Sequence, residues 1–257
     1  MSPGIKFAKN GHVARVTLDN PKALNAINPA MDDALLAAWT EIDADPDIWV
    51  AILDATPGKA FCAGADVSGG TDREGRMALG GGLTGVGGPQ YHLRKPLIAA
   101  VHGYVIGGGF ELAMCADIIV AAEDTQFFIP EVKAGIIGES GILHRALRQL
   151  PHHIAMGMIL TGERLPAAKA EQYGLVNEVV PAAELAAAAD RWAEKVQACA
   201  PRAVQAAKDA AWRGLGMSLE QALTTRYEAI EAYAGTKDQL EGIAAFAEKR
   251  KPVWTGR

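Results

Sequence analysis

The chain has 257 residues, 49% hydrophobic and 21% charged, which is the profile of a soluble globular protein with a sizeable core. Its net charge of −5 offers no basic field to track phosphates, and this excludes nucleic acid as the main partner. Cys62, Cys115 and Cys199 lie far apart without metal-ligand spacing, no HExxH pattern occurs, and no apolar run reaches membrane length. With an N-terminus that lacks an apolar signal core, these features predict a cytoplasmic protein with reduced thiols, no metal and no membrane partner.

Residues 5–18 alternate about a turn at Asn10-Gly11 and predict a hairpin. Asn28-Pro29 predicts the start of a helix whose apolar face carries Met31, Leu35, Leu36 and Trp39. A buried strand is expected over 48–53. It is followed by the small-residue stretch Phe61-Cys62-Ala63-Gly64-Ala65-Asp66-Val67, whose backbone can be approached closely. Residues 69–89 are glycine-rich and polar, and predict a loop. Gly80, Gly82 and Gly85 satisfy GxGxxG there, but charged residues precede them instead of a strand, so the dinucleotide-binding reading fails.

The apolar run Leu97–Val101 predicts a fully buried strand. Tyr104-Val105-Ile106 leads to Gly107, Gly108 and Gly109. A helical pattern then places Phe110, Ala113, Met114 and Asp117 at spacings of three and four, before a second buried strand, Ile118–Ala122. Unpaired N–H groups at such a helix start, with no Cβ in the way, can approach an oxygen that is becoming negative. Glu111 stands one turn in, on an otherwise apolar segment. Donors beside a carboxylate suit catalysis. The same stretch also fits a tight strand–helix junction with a capping-type glutamate.

A strand over 125–129 ends at Pro130-Glu131, and a glycine-rich turn over 135–141 leads into a helix over 142–150. Ser140 does not stand in a GxSxG elbow, because Ile142 occupies the last glycine position, so it is not read as a nucleophile. Helices over 152–160 and 166–173, a strand over 176–180 and a long helix from Pro181 to about Ala198 follow. The chain then reads as helical to about Lys249. His152-His153, beside a proline, reads as surface.

Several motifs occur in order: Pro21-Lys22-Ala23-Leu24-Asn25-Ala26, the stretch around Ala63-Gly64-Ala65-Asp66, and His102-Gly103-Tyr104 followed by Gly107-Gly108-Gly109-Phe110-Glu111-Leu112. Ala116-Asp117, Pro130-Glu131 with Gly135, and Thr161-Gly162 with Gly174-Leu175-Val176-Asn177 continue the series. Together they resemble the enoyl-CoA hydratase/isomerase (crotonase) superfamily over nearly the whole chain. The ending, from Glu241-Gly242-Ile243 through Lys249-Arg250 to Pro252-Val253-Trp254, is similar to its crotonobetainyl-CoA (carnitinyl-CoA) hydratase branch.

The resemblance implies an α/β fold, a spiral of repeated ββα units over 1–195, with a helical oligomerisation region over 196–257 that builds homotrimers or hexamers. It implies an acyl-CoA substrate and no separate cofactor, coenzyme A being part of the substrate. The thioester oxygen would sit on the N–H groups of Ala65 and Gly108. Lys22, Ala23, Leu24, Ala63, Gly64, Asp66 and Val67 would line the coenzyme A path, and Glu111 and Glu131 would be the catalytic carboxylates. The implied activity is hydration of a trans-2-enoyl-CoA at C2=C3. The alternatives are isomerisation of an enoyl- or dienoyl-CoA, hydration of crotonobetainyl-CoA, or a non-catalytic coenzyme A- or RNA-binding role. One departure stands out. Many hydratases have Pro-Gly-x-Gly-Gly-Thr-Gln after the second glutamate, where this chain has Gly138-Glu139-Ser140-Gly141-Ile142-Leu143. Glu139 is thus a candidate additional acid, or else a solvated turn residue.

Overall fold

The structure is a computed structural model that describes residues 4–66 and 91–257. Val67 and the glycine-rich stretch with Gly80, Gly82 and Gly85 lie outside the described residues.

The N-terminal alternation folds as expected. β1 (Ile5–Asn10) and β2 (Val13–Leu18) pair antiparallel, with Asn10 opposite Val13. β2 buries Ala14, Val16 and Leu18 on one face. Asn28 caps α1 (Pro29–Ala44), its side chain accepting the Met31 N–H at 2.9 Å, and the helix buries Met31, Leu35, Trp39 and Ile42.

From there the chain winds through two sheets. β3 (Val50–Ala55), β5 (Leu97–Val101) and β7 (Ile118–Ala122) lie side by side and parallel in one sheet. Each is followed after a corner by a short strand of the other sheet: β4 (Ala60–Cys62), β6 (Tyr104–Ile106) and β8 (Gln126–Phe128), also parallel. One strand per sheet per turn makes a spiral. Beyond β8, α3 (Ile142–Gln149), α4 (His152–Thr161) and β9 (Arg164–Pro166) return the chain to the small sheet, where β9 pairs antiparallel with β8. After α5 (Ala167–Gln172), β10 (Glu178–Val180) closes the large sheet against β7, giving the order β1-β2-β3-β5-β7-β10.

The continuous apolar runs are explained by burial on both faces. Ala51, Leu53, Leu97, Ala99, Val101, Ile119 and Ala121 share a core with α1 and the small sheet. Their alternate neighbours Val50, Ile52, Ile98, Ala100, Val120 and Ala122 pack against Leu185, Ala188, Ala189 and Ala193 of α6 (Leu185–Gln197). The small alanines of α6 let that helix lie close to the sheet.

Several elements differ from the sequence expectation. The strand expected over 48–53 begins two residues later. Tyr104–Ile106 is a strand in its own right, as is Arg164–Pro166, because pairing with β8 outweighs three-residue runs that carry no readable period. The helix after the glycines, α2 (Gly108–Ala113), stops short of Asp117. Asp117 instead accepts the Leu97 N–H at 2.8 Å and the Lys208 ammonium at 2.7 Å. The C-terminal stretch is broken into α7 (Pro201–Gly214), α8 (Leu219–Thr224), α9 (Glu228–Tyr233) and α10 (Lys237–Glu248). A capping box at Ser218 and Gln221 and a cap at Thr236 begin two of these helices.

The corners depend on close backbone packing. Gly103, between β5 and β6, has φ +55°, and a Cβ there would lie 2.3 Å from the Lys59 carbonyl oxygen. Gly103→Ala combines left-handed strain with overpacking and is expected to lower stability by about 2–4 kcal/mol, measured by urea unfolding.

Candidate active site

The three parallel strands of the small sheet end at the same edge. β4 runs into residues 63–66, β6 runs into Gly107 and α2, and β8 runs through Pro130 into a tight turn over Glu131–Ala134. The parallel register thus gathers Ala65, Gly108, Glu111 and Glu131 from distant parts of the sequence. The crevice beyond the carboxyl ends of parallel strands is a common place for ligands.

Residues 63–66 are held from one side by the segment that follows the first turn of the chain. The Ile27 N–H donates to the Gly64 carbonyl at 2.8 Å, and the Asp66 N–H donates to the Ile27 carbonyl at 2.9 Å. The Ala63 N–H donates to the Leu24 carbonyl at 3.0 Å. Lys22, Ala23 and Leu24 are exposed and therefore adjoin Ala63, Gly64 and Asp66. On the other side is α2. Gly64 has φ +94°, and a Cβ there would lie 3.1 Å from the Gly108 nitrogen, so only glycine brings the two loops this close. The Ala65 and Gly108 N–H groups, flanking this contact, have no acceptor among the described residues.

The carboxylates converge from α2 and from the turn after β8. A methyl group added at Gly138 would lie 3.4 Å from Glu111 Oε1 and 3.6 Å from Glu131 Oε1. One added at Gly107, where φ is +49°, would lie 2.4 Å from Glu131 Oε1. Glu111 is 2% exposed, and Oε1 accepts the Ile142 N–H at 3.2 Å. Burial pushes the Glu111 pKa up to about 7; the Ile142 N–H pulls against this and the Glu131 charge adds to it. Burial also raises the Glu131 pKa, and Glu131 Oε2 is buried with no hydrogen-bond partner among the described residues. Two carboxyl groups facing one space, both with pKa values raised chiefly by burial, favour holding a proton between them.

With this geometry in place, the model of the enoyl-CoA hydratase/isomerase family matches residues 8–257. The chain belongs to this family. It is 38% identical over 259 residues to (E)-benzylidenesuccinyl-CoA hydratase of Thauera aromatica, covering 96% of this chain and 97% of that protein. It is 39% identical to carnitinyl-CoA dehydratase of Salmonella typhi, over 100% of both chains. A solved structure from Novosphingobium aromaticivorans DSM 12444, assigned as a short chain enoyl-CoA hydratase, is 61% identical with a TM-score of 0.92, covering 99% of this chain and 100% of that one. The two-sheet spiral is the crotonase fold.

Within this candidate site, Glu139 stands apart from the other two acids. Its side chain is exposed and forms no ion pair among the described residues. Sequence reading alone missed Asn25, which is 1% exposed at φ +56°. Its side chain accepts the Asn20 N–H at 2.8 Å and donates to the Ala60 carbonyl at 3.0 Å, and its carbonyl accepts the Cys62 thiol at 3.1 Å. It thereby ties the Lys22–Leu24 turn to β4. The signal available for it was an amide side chain embedded in the Leu24-Asn25-Ala26 motif. Gly107 and Gly138 were legible as glycines but not as contacts of the carboxylates. Among the described residues no three His, Cys, Asp or Glu side chains are grouped to hold a metal ion, and no helix is long and apolar enough to cross a membrane.

The buried Glu111 links the site to stability. A free glutamate titrates near 4.5, so between that pH and about 7 the folded chain keeps a proton that the unfolded chain has lost. The stabilisation from this group is complete below the lower value and is lost as pH rises through the upper one. Glu111→Gln cannot ionise and is expected to be more stable than the wild type at pH 8, by up to ~3 kcal/mol, with the gap closing below pH 5. Thermal unfolding across pH checks this.

Proposed function

We infer that this chain is an enoyl-CoA hydratase, adding water across the C2=C3 bond of a trans-2-enoyl-CoA. The observation that carries this reading is the convergence of a buried and a half-buried carboxyl group, both of raised pKa, beside two uncommitted backbone N–H groups. The thioester carbonyl oxygen accepts from the Ala65 and Gly108 N–H groups. These are fixed before the reaction and strengthen as the oxygen becomes an enolate, each donor lowering the barrier by about 2.7–4 kcal/mol.

Glu111, whose carboxylate accepts the Ile142 N–H, acts in its ionised form as the base. Glu131, with an unpaired oxygen, carries the proton. Water attacks C3 and gives a proton to Glu111, while the π electrons move towards C2 and the thioester oxygen. The enolate then takes the Glu131 proton at C2. Transfer of one proton from Glu111 to Glu131 restores the pair, so the balance is one water added. This scheme consumes only the acyl-CoA and water, with coenzyme A as part of the substrate. Lys22, Ala23, Leu24, Ala63, Gly64 and Asp66 border its path. Glu139 has no step in this scheme, whereas isomerisation through Glu131 and Glu139 would need both at the acyl chain.

We further propose a cytoplasmic homotrimer, or a hexamer of two trimers, assembled through the region over 196–257. Leu219 and Leu223 on α8 are 75% and 77% exposed, and Leu240, Ile243 and Phe246 on α10 are 61%, 64% and 87% exposed. Apolar rows of this kind favour a partner surface over water.

Crotonyl-CoA, a short-chain probe, tests the activity. Its conjugated enoyl absorbance should decay rapidly with the wild type, and Glu131→Gln should slow the decay by about 10²–10⁴-fold. Absence of decay with the wild type would sink the hydratase assignment. For assembly, the double substitution Ile243→Lys and Phe246→Glu should shift the sedimenting species to a smaller one; an unchanged sedimentation coefficient would argue against this surface.

A further inference from the structure

Cys62 is the last residue of β4, and its side chain is fully buried beside the segment that carries the Ala65 N–H. The thiol donates to the Asn25 carbonyl at 3.1 Å, and its sulfur accepts the Gly64 N–H at 3.4 Å. The Gly64 carbonyl lies farther from the sulfur, at 3.9 Å, and accepts the Ile27 N–H at 2.8 Å. Burial pushes the thiol pKa up to about 12 against the pull of the Gly64 N–H, so the group stays neutral, keeps its donor and is no nucleophile. Its contribution lies in what it holds in place.

Cys62 holds both sides of one joint. On one side is the segment from Asn25 to Ile27, and on the other the segment from Cys62 to Asp66. The Ile27 N–H fixes the direction of the Gly64 carbonyl. In a planar trans peptide the carbonyl and the N–H point opposite ways, so the Ala65 N–H of the same peptide unit points away from Ile27. The second donor obeys the same geometry. The Gly107 carbonyl accepts the Glu111 N–H at 2.8 Å, which turns the Gly108 N–H out of the start of α2. The Cys62 bonds anchor the first of these links on either side, at the Asn25 carbonyl and at the Gly64 N–H. Gly64 has φ +94° and no side chain to limit its rotation, so its orientation depends on such anchors. Cys62 also bears on α2, since a Cβ at Gly109 would lie 2.7 Å from the Cys62 Cβ.

We propose that the Cys62 thiol is a positioning residue that aims the Ala65 N–H, an inference that rests on the thioester oxygen sitting at the Ala65 and Gly108 donors as in the reading above. Without the thiol, the Gly64 N–H and the Asn25 carbonyl lose their partner, and the neighbouring peptide unit loses a constraint on its direction. A fixed donor stabilises developing charge without reorganisation, and a loosened one does so less well. The loss falls on any step that forms an enolate at this thioester, and not on binding of the acyl-CoA. Serine, which both donates and accepts at this position, keeps the joint.

Cys62→Ala and Cys62→Ser are compared with the wild type in two reactions: hydration of crotonyl-CoA, and exchange of the α-protons of butyryl-CoA with D₂O followed by NMR. The temperature is one at which circular dichroism shows all three proteins folded. In Cys62→Ala both rates at saturation should fall by a similar factor, about tenfold, the equivalent of about 1.4 kcal/mol, with each KM within about twofold. Cys62→Ser should stay within about threefold of the wild type. Infrared spectra of bound butyryl-CoA, isotope-edited at the carbonyl, should place the wild-type band below that of the free ligand, and Cys62→Ala should move it back towards that value. A lower thermal midpoint with unchanged rates, an unmoved carbonyl band, or a serine variant as slow as the alanine one would make Cys62 a packing residue and overturn the proposal. A wild type that exchanges α-protons but does not hydrate crotonyl-CoA would remove the hydratase reading alone, and slower exchange in Cys62→Ala would then still uphold the role of Cys62.

Discussion

Backbone-to-backbone contact between the ends of neighbouring parallel strands governs the arrangement of this protein. β4, β6 and β8 are only three residues each, yet their parallel pairing brings three loops to one edge. The distance between the first two loops is set by Gly64, whose missing side chain allows the Gly108 nitrogen to come close. Gly109 meets the same demand, since a Cβ there would lie 2.4 Å from the Cys62 carbonyl oxygen. A loop pair held at this separation has fixed N–H directions, so donors aimed at an oxygen cost little reorganisation when charge develops on it.

The two glutamates are an electrostatic burden on the fold. Glu111 loses solvation and faces a second carboxyl group, and the Ile142 amide compensates only partly, since the balance of these effects still raises its pKa. The surrounding structure supports that burden through extensive burial. β3 and β5 are covered on both faces, and Phe110 and Phe127 pack at 5.2 Å between ring centroids directly behind the site. Stability spent in this way is common where reactivity needs a group in the wrong environment.

Much of the large sheet was legible in the sequence, because two-sided burial writes itself as long apolar runs. Leu97–Val101 and Ile118–Ala122 have the boundaries expected of them. Of the small sheet, the strand expected over 125–129 is β8 (Gln126–Phe128), whereas Tyr104–Ile106 and Arg164–Pro166 are too short to show a period and exist only through their partners. For the candidate site, the glycines of Gly107–Gly109 announced a close approach but not what approaches. That Gly107 contacts Glu131, and Gly138 both carboxylates, depends on the return of the chain after a full turn of the spiral. Asn25 was hidden for another reason: a buried amide in a left-handed conformation looks like an ordinary loop residue until its hydrogen bonds are seen. In the C-terminal region the breaks at Ser218 and Thr236 carried capping signals, whereas those before α9 depend on tertiary packing.

The division of labour between scaffold and turn explains how one spiral can serve different acyl-CoA chemistries. The N–H pair comes from loops after β4 and β6, and both are fixed by glycine contacts that tolerate no side chain. The turn over 138–142 follows a longer excursion beyond β8, where the Ile142 amide holds Glu111 and Gly138 leaves room for both carboxyl groups. Glu139 and Ser140 lie within that turn, one facing solvent and the other sealed in. Changes at these two positions can alter the turn without moving the Ala65 and Gly108 N–H groups. A substitution at Gly64 cannot do so, because its Cβ meets the backbone at Ile106 and Gly108, and one at Gly107 displaces the Glu131 carboxyl group. Variation in reaction is therefore expected to concentrate in the turn after Glu131, with the glycine-fixed backbone frame persisting around it.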